Sequence, residues 1–128
     1  DKRFVLVLDG AAVLDKETGL VWEKSPDTTL RYWDDAVFYC YDKVVGGRKG
    51  WRLPTIEELE SLIDTTQSDP ALPSGHPFQN VQSGYYWSST THASIPSFAW
   101  IVFMGNGYVD SISKSYNSFC AWPVRGGQ

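Results

Sequence analysis

The run Gly50-Trp51-Arg52-Leu53-Pro54-Thr55, continuing into Ile56-Glu57-Glu58-Leu59, constrains the fold of this chain more than any other stretch. It describes a corner: a strand-like Trp-Arg-Leu, a proline that stops it, and Thr55 placed as the N-cap of a helix. Glu58 stands three residues after Thr55, the spacing of a capping box in which each side chain takes the other's unpaired backbone N–H. Ile56, Leu59, Leu62 and Ile63 then fall on one face of a short helix, leaving Glu57 and Glu60 for solvent. The run carries architecture, not catalytic chemistry.

A chain of 128 residues without a long linker is expected to form one domain over 1–128. It can bury roughly two-thirds of its unfolded surface, enough for a core without metal or many disulfides. Six Trp, seven Tyr and six Phe exceed what one small core needs. Some are expected on display, where aromatics favour recognition. A net charge of −4 and the absence of any basic cluster beyond the pairs Lys2-Arg3 and Arg48-Lys49 exclude a nucleic-acid partner. No apolar run approaches the ~18 residues of a membrane span. The chain opens at Asp1 without a charged-then-apolar leader, so any signal peptide lies outside it. Cys40 and Cys120 form no CxxC or His-Cys group, which argues against zinc. They are either a long-range disulfide or two buried thiols.

The short apolar runs 4–8, 11–14 and 20–22 predict three strands separated by Asp9-Gly10 and by the polar turn 15–19. Trp33, Ala36, Val37, Cys40, Tyr41 and Val44 recur at helical spacing and predict about four helical turns ending at Gly46-Gly47. After the capped helix, residues 65–84 are rich in Ser, Pro, Gly, Gln and Asn, with Leu72, Phe78 and Val81 as anchors. A loop of that length in a small domain carries function or packs as an Ω-like excursion. Segments 85–88, 99–104, 108–112 and 120–124 read as further strands, with Gly105-Asn106-Gly107 as a hairpin turn. Strands, two helices, then an antiparallel meander make an α+β domain with its helices gathered on one side.

Four pieces in order, Thr18-Gly19-Leu20-Val21-Trp22, Gly50 to Thr55 with Glu58-Leu59, Tyr86-Trp87-Ser88-Ser89-Thr90 leading to Ala99-Trp100, and Pro123-Val124-Arg125-Gly126-Gly127, resemble the bacterial domain family named for the C-terminal domain of a Legionella collagen-like adhesin. The resemblance runs from about Phe4 to Gln128. It implies a C-type-lectin-like fold: a twisted antiparallel sheet, two helices and a long irregular loop region whose face binds ligands. It also implies a bridge between Cys40 and Cys120, since lectin-like folds often join the first helix to the last strand. The family's ending places Cys directly before Val-Arg, whereas Ala121-Trp122-Pro123 intervene here, so that bridge would be offset. An extracellular or cell-envelope location and an adhesive role follow from the same resemblance. The namesake's sulfated ligands do not carry over, because sulfate recognition wants clustered Arg and Lys and this chain is acidic. Nor does the calcium-dependent sugar site of animal lectins, whose Glu-Pro-Asn and Trp-Asn-Asp motifs are absent. No metal or cofactor is expected.

Catalytic constellations are missing as well. His76 and His92 sit in polar loops without an adjacent Cys. Ser88, Ser89 and Thr90 near His92 lack a third, orienting group. Asp34-Asp35 and Glu57-Glu58 fall on helices, where they serve as solvated faces and dipole partners. Oxidases of the formylglycine-generating type share a related fold but need reactive cysteines. If Trp100, Val102 and Met104 face the core, as the resemblance suggests, Ile101 and Phe103 point outward. The expected ligand face combines Phe103, Asn106, Tyr108, Asp110, Ser111, Ser113, Tyr116, Asn117 and Phe119 with His92, Ile95 and Phe98 from the preceding loop. Rigid aromatics beside short hydrogen-bonding groups suit glycans and protein surfaces alike. The expectation is a non-catalytic adhesion or recognition module. One alternative is a receptor diversified over Asn106 to Cys120 by a diversity-generating retroelement, whose adenine mutagenesis turns Asn codons into Tyr, Ser, Asp, Phe, Ile or Cys. The other is a homo-oligomeric assembly domain using Ile101 and Phe103.

Overall fold

The computed structural model describes residues 2–127. Strands β1 (Phe4–Val7), β2 (Ala12–Asp15) and β3 (Leu20–Glu23) precede helices α1 (Trp33–Tyr41) and α2 (Ile56–Ser61). Strands β4 (Tyr85–Thr91), β5 (Phe98–Phe103), β6 (Tyr108–Ser113) and β7 (Val124–Gly126) follow. The expected α+β composition is there, but the strands form two antiparallel sheets instead of one. The first has the order β1-β2-β3-β7 and the second β4-β5-β6. The segment before β7 stitches them together. Cys120 bridges Tyr86 of the second sheet, while Val124 pairs with Trp22 of the first and with Arg52.

The corner at 50–59 is built as its sequence dictates. Thr55 Oγ1 accepts from the Glu58 N–H at 3.2 Å, and Glu58 Oε1 accepts from the Thr55 N–H at 2.9 Å, which completes the capping box. Arg52 grips the same carboxylate through both terminal nitrogens, at 2.6 and 2.8 Å. The next orphan donor, Ile56 N–H, reaches Thr90 Oγ1 at 2.9 Å, so α2 is pinned to β4 through its own first turn. Thr55→Ala is therefore expected to lower unfolding free energy by about 1 kcal/mol and the melting midpoint by roughly 4 °C, read by urea titration and thermal scan. An unchanged midpoint would show that the cap contributes nothing.

The core divides into three groups. One lies between the two sheets and α2 and includes Trp22, Trp122, Phe78, Tyr86, Leu59, Leu62, Val102 and Met104. A second lies under α1: Ala36, Cys40, Leu53, Trp87, Ala99, Ile101 and Ala121. A third covers the other face of the first sheet with Ala12, Val21, Val45 and Trp51.

Several expectations need correction. Ile101 does not face solvent; it is buried against α1 while Val102 is buried against α2, because the two helices cover opposite faces of β5. The proposed assembly patch of Ile101 with Phe103 therefore lacks one of its two members. Helix α1 ends at Tyr41, after nine residues, and Tyr41 and Val44 are exposed. The chain leaves the helix because Lys43 reaches back to Glu23 at 3.1 Å and Val45 tucks under Trp51, closing a turn with Arg48. The disulfide is absent: Cys40 and Cys120 are both buried free thiols. Cys40 packs in the group under α1 and Cys120 in the group between the sheets. Burial pushes the Cys40 thiol up to about 12, and burial raises Cys120 too, against an opposing hydrogen bond from Tyr86. Neither is a nucleophile at neutral pH.

Loop 65–84 is anchored as expected, with Leu72 and Phe78 buried and Val81 packed against the core. Its backbone also ties to the β5–β6 hairpin: Asp69 N–H donates to Gly105 O at 2.9 Å and Ala71 N–H to Met104 O at 2.7 Å. Gly107 makes that approach possible. It adopts φ +85°, and a Cβ there would stand 2.6 Å from Ile63 Cγ2.

Candidate ligand-binding face

Strand register sorts the expected ligand residues onto two different faces. Tyr108 pairs with Phe103 and Asp110 with Ile101, so these share the face that also carries Tyr85 and Trp87. Ser111 pairs with Trp100 and Ser113 with Phe98, on the opposite face. The expected site is therefore not continuous.

The first face holds the larger assembly. The Tyr85 ring lies 4.9 Å from Phe103 and 5.1 Å from Phe119, and Phe119 lies 4.9 Å from Trp87. Offset and tilted ring contacts of this kind fix the rings relative to one another. Phe119 is held by its backbone as well, exchanging two hydrogen bonds with Arg31 at 2.8 and 2.9 Å. Phe103 is placed by the turn that follows it. A Cβ on Gly105 would fall 2.5 Å from the Phe103 ring, so the ring occupies the room a side chain there would need. Tyr108, paired with Phe103, is 58% exposed beside this terrace, and Tyr116, on the loop after β6, is 86% exposed. Asn106, at the hairpin tip, accepts the Tyr108 N–H on its side-chain oxygen at 2.9 Å, and Asp110 accepts the Ser111 N–H at 2.8 Å. Asn117 Nδ2 donates to Ser113 O at 3.3 Å, which folds the loop back on β6. Tyr85 joins the terrace without having been expected there. The alternation Tyr85 out, Tyr86 in was the signal: Tyr86 is wholly buried and Tyr85 exposed.

The second group is smaller and sits under an exposed loop, 93–97. The His92 ring stacks on Trp100 at 5.2 Å and 16°, and its Nδ1 accepts the N–H groups of Ser94 and Ile95 at 3.1 and 3.2 Å. Phe98 N–H donates to Ile95 O and His92 N–H to Phe98 O, both at 2.9 Å, which closes the 92–98 loop on itself. Lys114 clips it to β4 through Thr91 Oγ1 at 2.9 Å while its ammonium lies 4.0 Å from the Trp33 ring centre. Ser88 donates its hydroxyl to Trp100 O at 2.7 Å inside the sheet, and Thr90 accepts from α2. Both are occupied in holding the fold. His76 stacks on Phe78 and accepts the Phe78 N–H at 3.1 Å, and burial holds its pKa below the ordinary histidine value.

Among the described residues no three His, Cys, Asp or Glu side chains group as a metal site, and no helix is long and apolar enough to cross a membrane. The family model described as the Lcl C-terminal domain matches residues 11–125. No curated protein matches the chain.

Proposed function

Because the chain belongs to the Lcl C-terminal domain family, we propose that it is a non-catalytic recognition module of a bacterial surface or secreted protein, with a C-type-lectin-like fold. The two helices, the antiparallel sheets and the long anchored loop fit that fold. The observation that carries the function is the ring terrace of Tyr85, Phe103 and Phe119, locked at about 5 Å spacings, with exposed Tyr108 beside Asn106 and exposed Tyr116 on the loop after β6. Sugar rings present apolar faces that stack on such surfaces and hydroxyls that bond to Asn and Asp. The ligand taken here is a neutral glycan, since net charge −4 opposes an anionic one.

The test is a glycan array probed with the purified chain, in calcium and again in EDTA. Reproducible spots are expected in both, and they should weaken at least about tenfold in the Tyr108→Ala/Tyr116→Ala variant, as for an aromatic hot spot. Both side chains are exposed, so this variant keeps the fold. A blank array, or binding that survives the double substitution, overturns the glycan assignment.

A further inference from the structure

The solvent side of α1 is built against the rule for a surface helix. Ala36 and Cys40 face the core, so the opposite pole of the helix should be polar throughout. Asp35 and Asp42 obey, but Phe38 between them is 67% exposed, Tyr41 on the next turn 74%, and Val44 just past the helix 54%. Three large apolar groups so close together are not the scattered exposure expected of any surface. They border a hollow of about 510 Å³ lined by Asp35, Phe38, Tyr39, Asp42, Lys43 and Val44. A neighbouring hollow of about 550 Å³ continues it past Tyr41 towards Lys49 and Gly50.

Around the first hollow the charge is mainly negative, and Lys49 enters only at the far end of the second. Asp34, Asp35 and Asp42 enter no ion pair among the described residues, whereas the cation on the lining, Lys43, is neutralised by Glu23 at 3.1 Å. Asp42 also caps the C-terminus of α1, the negative end of the helix dipole, and the last turn carries no basic residue. A carboxylate at that position is unfavourable by itself and becomes favourable when a cation arrives from outside.

We propose that this face of α1 is a second docking surface, for a basic protein segment that seats an apolar side chain against Phe38 and Val44 and sets lysine or arginine side chains against Asp35 and Asp42. The aromatic ring supports this pairing, since cations are attracted to ring faces as well as to carboxylates. Anionic partners such as nucleic acid or acidic lipid are repelled. A second copy of the chain, itself at −4, is a poorer match than a basic partner. This surface uses none of the residues of the β5–β6 terrace, so it stands or falls separately from the glycan assignment.

The test is a titration of the isotope-labelled chain with a synthetic amphipathic peptide of alternating lysine and leucine, followed by amide shifts. A glutamate-for-lysine peptide and a glycine-for-leucine peptide serve as comparisons. Shifts are expected to concentrate in residues 34–44, with affinity falling at least about tenfold in Phe38→Ser. Asp35→Asn/Asp42→Asn should lower affinity severalfold and flatten its salt dependence. Both variants change exposed positions and keep the folded spectrum elsewhere. Equal binding of the glutamate peptide, undiminished binding of the glycine peptide, or shifts centred elsewhere overturn the proposal. So does movement of the 34–44 amides with protein concentration alone, which would make the occupant a second copy.

Discussion

Trp122→Ala is expected to be the most damaging single change in this protein, lowering unfolding free energy by about 3–5 kcal/mol. That is a large part of the ~5–15 kcal/mol a domain of this size possesses. Trp122 is wholly buried where the two sheets meet. Its ring contacts Trp22 at 5.4 Å, Phe78 at 4.9 Å and Tyr86 at 5.8 Å, which belong to β3, the long loop and β4. Removing it opens a cavity at the point where three parts of the chain pack on one another. Its Nε1 also donates to Glu23 O at 2.8 Å, so truncation leaves a buried carbonyl unpaired. Trp22 supplies a control. It is equally buried, but its Nε1 has no acceptor among the described residues. Trp22→Phe therefore loses ring volume only, and Trp122→Phe loses ring volume and a hydrogen bond. Urea unfolding should rank the three variants Trp22→Phe, Trp122→Phe, Trp122→Ala in order of increasing loss. A Trp122→Ala variant within about 1 kcal/mol of wild type, a loss no larger than an ordinary substitution, would mean that the sheets are held together elsewhere.

What could be read from the sequence was local. The capping box at Thr55 and Glu58 needs only an i,i+3 spacing and a proline before it, and it formed as written. The hairpin at 105–107 likewise depends on adjacent residues, and Gly107 N–H closes on Phe103 O at 2.7 Å. Strand β5 was harder. Alternation assigns one face inward, but Phe98-Ala99-Trp100-Ile101-Val102-Phe103 is apolar without interruption, the pattern of a strand covered on both sides. Which helix covers which face is decided by long-range packing. The same limit applies to α1, where Val44 keeps the helical period although the helix has ended at Tyr41 and the chain has turned towards Glu23 and Trp51. For the expected ligand residues, the sequence supplied residue types but not their placement. A one-residue offset separates Tyr108 and Asp110 from Ser111 and Ser113, and only the register with β5 assigns each to its face. The cysteines show that two positions apt for a bridge need not meet, with Ala121, Trp122 and Pro123 lying between Cys120 and the last strand. Trp122 takes a core position there, and Cys120 settles beside Tyr86 instead of Cys40.

The ion pair between Arg3 and Asp15 makes the second large prediction, and it belongs wholly to the fold. Arg3 holds Asp15 through two hydrogen bonds, at 2.9 and 2.8 Å, and donates to Ser61 O at 2.7 Å, a carbonyl left open at the end of α2. One side chain thus fastens β1, β2 and α2. The Asp15 side chain is fully buried and that of Arg3 is 21% exposed. Arg3→Ala leaves a buried carboxylate without its cation and is expected to cost about 3 kcal/mol, the lower end for a broken buried pair because Arg3 keeps some contact with water. Replacing both by apolar residues, Arg3→Met with Asp15→Leu, should recover much of that loss, since the penalty comes chiefly from the stranded charge. The pH dependence separates this account from simple loss of packing. Burial alone would raise the Asp15 pKa, but the Arg3 hydrogen bonds, the Glu17 N–H and the Arg3 charge outweigh it and hold the carboxyl below its ordinary value. The unfolded chain then binds the proton more readily than the folded one. Wild-type stability from this group is complete above an unfolded value of about 4 and is lost as pH falls through the lower folded value. In Arg3→Ala the hydrogen bonds and charge of the cation are gone while burial and the Glu17 N–H remain, so the folded value moves up and the stability this carboxylate contributes above its unfolded value shrinks. The gap between wild type and variant should therefore widen steadily from acid to neutral pH. A gap independent of pH would assign the loss to packing of the arginine stem and remove the charge from the explanation.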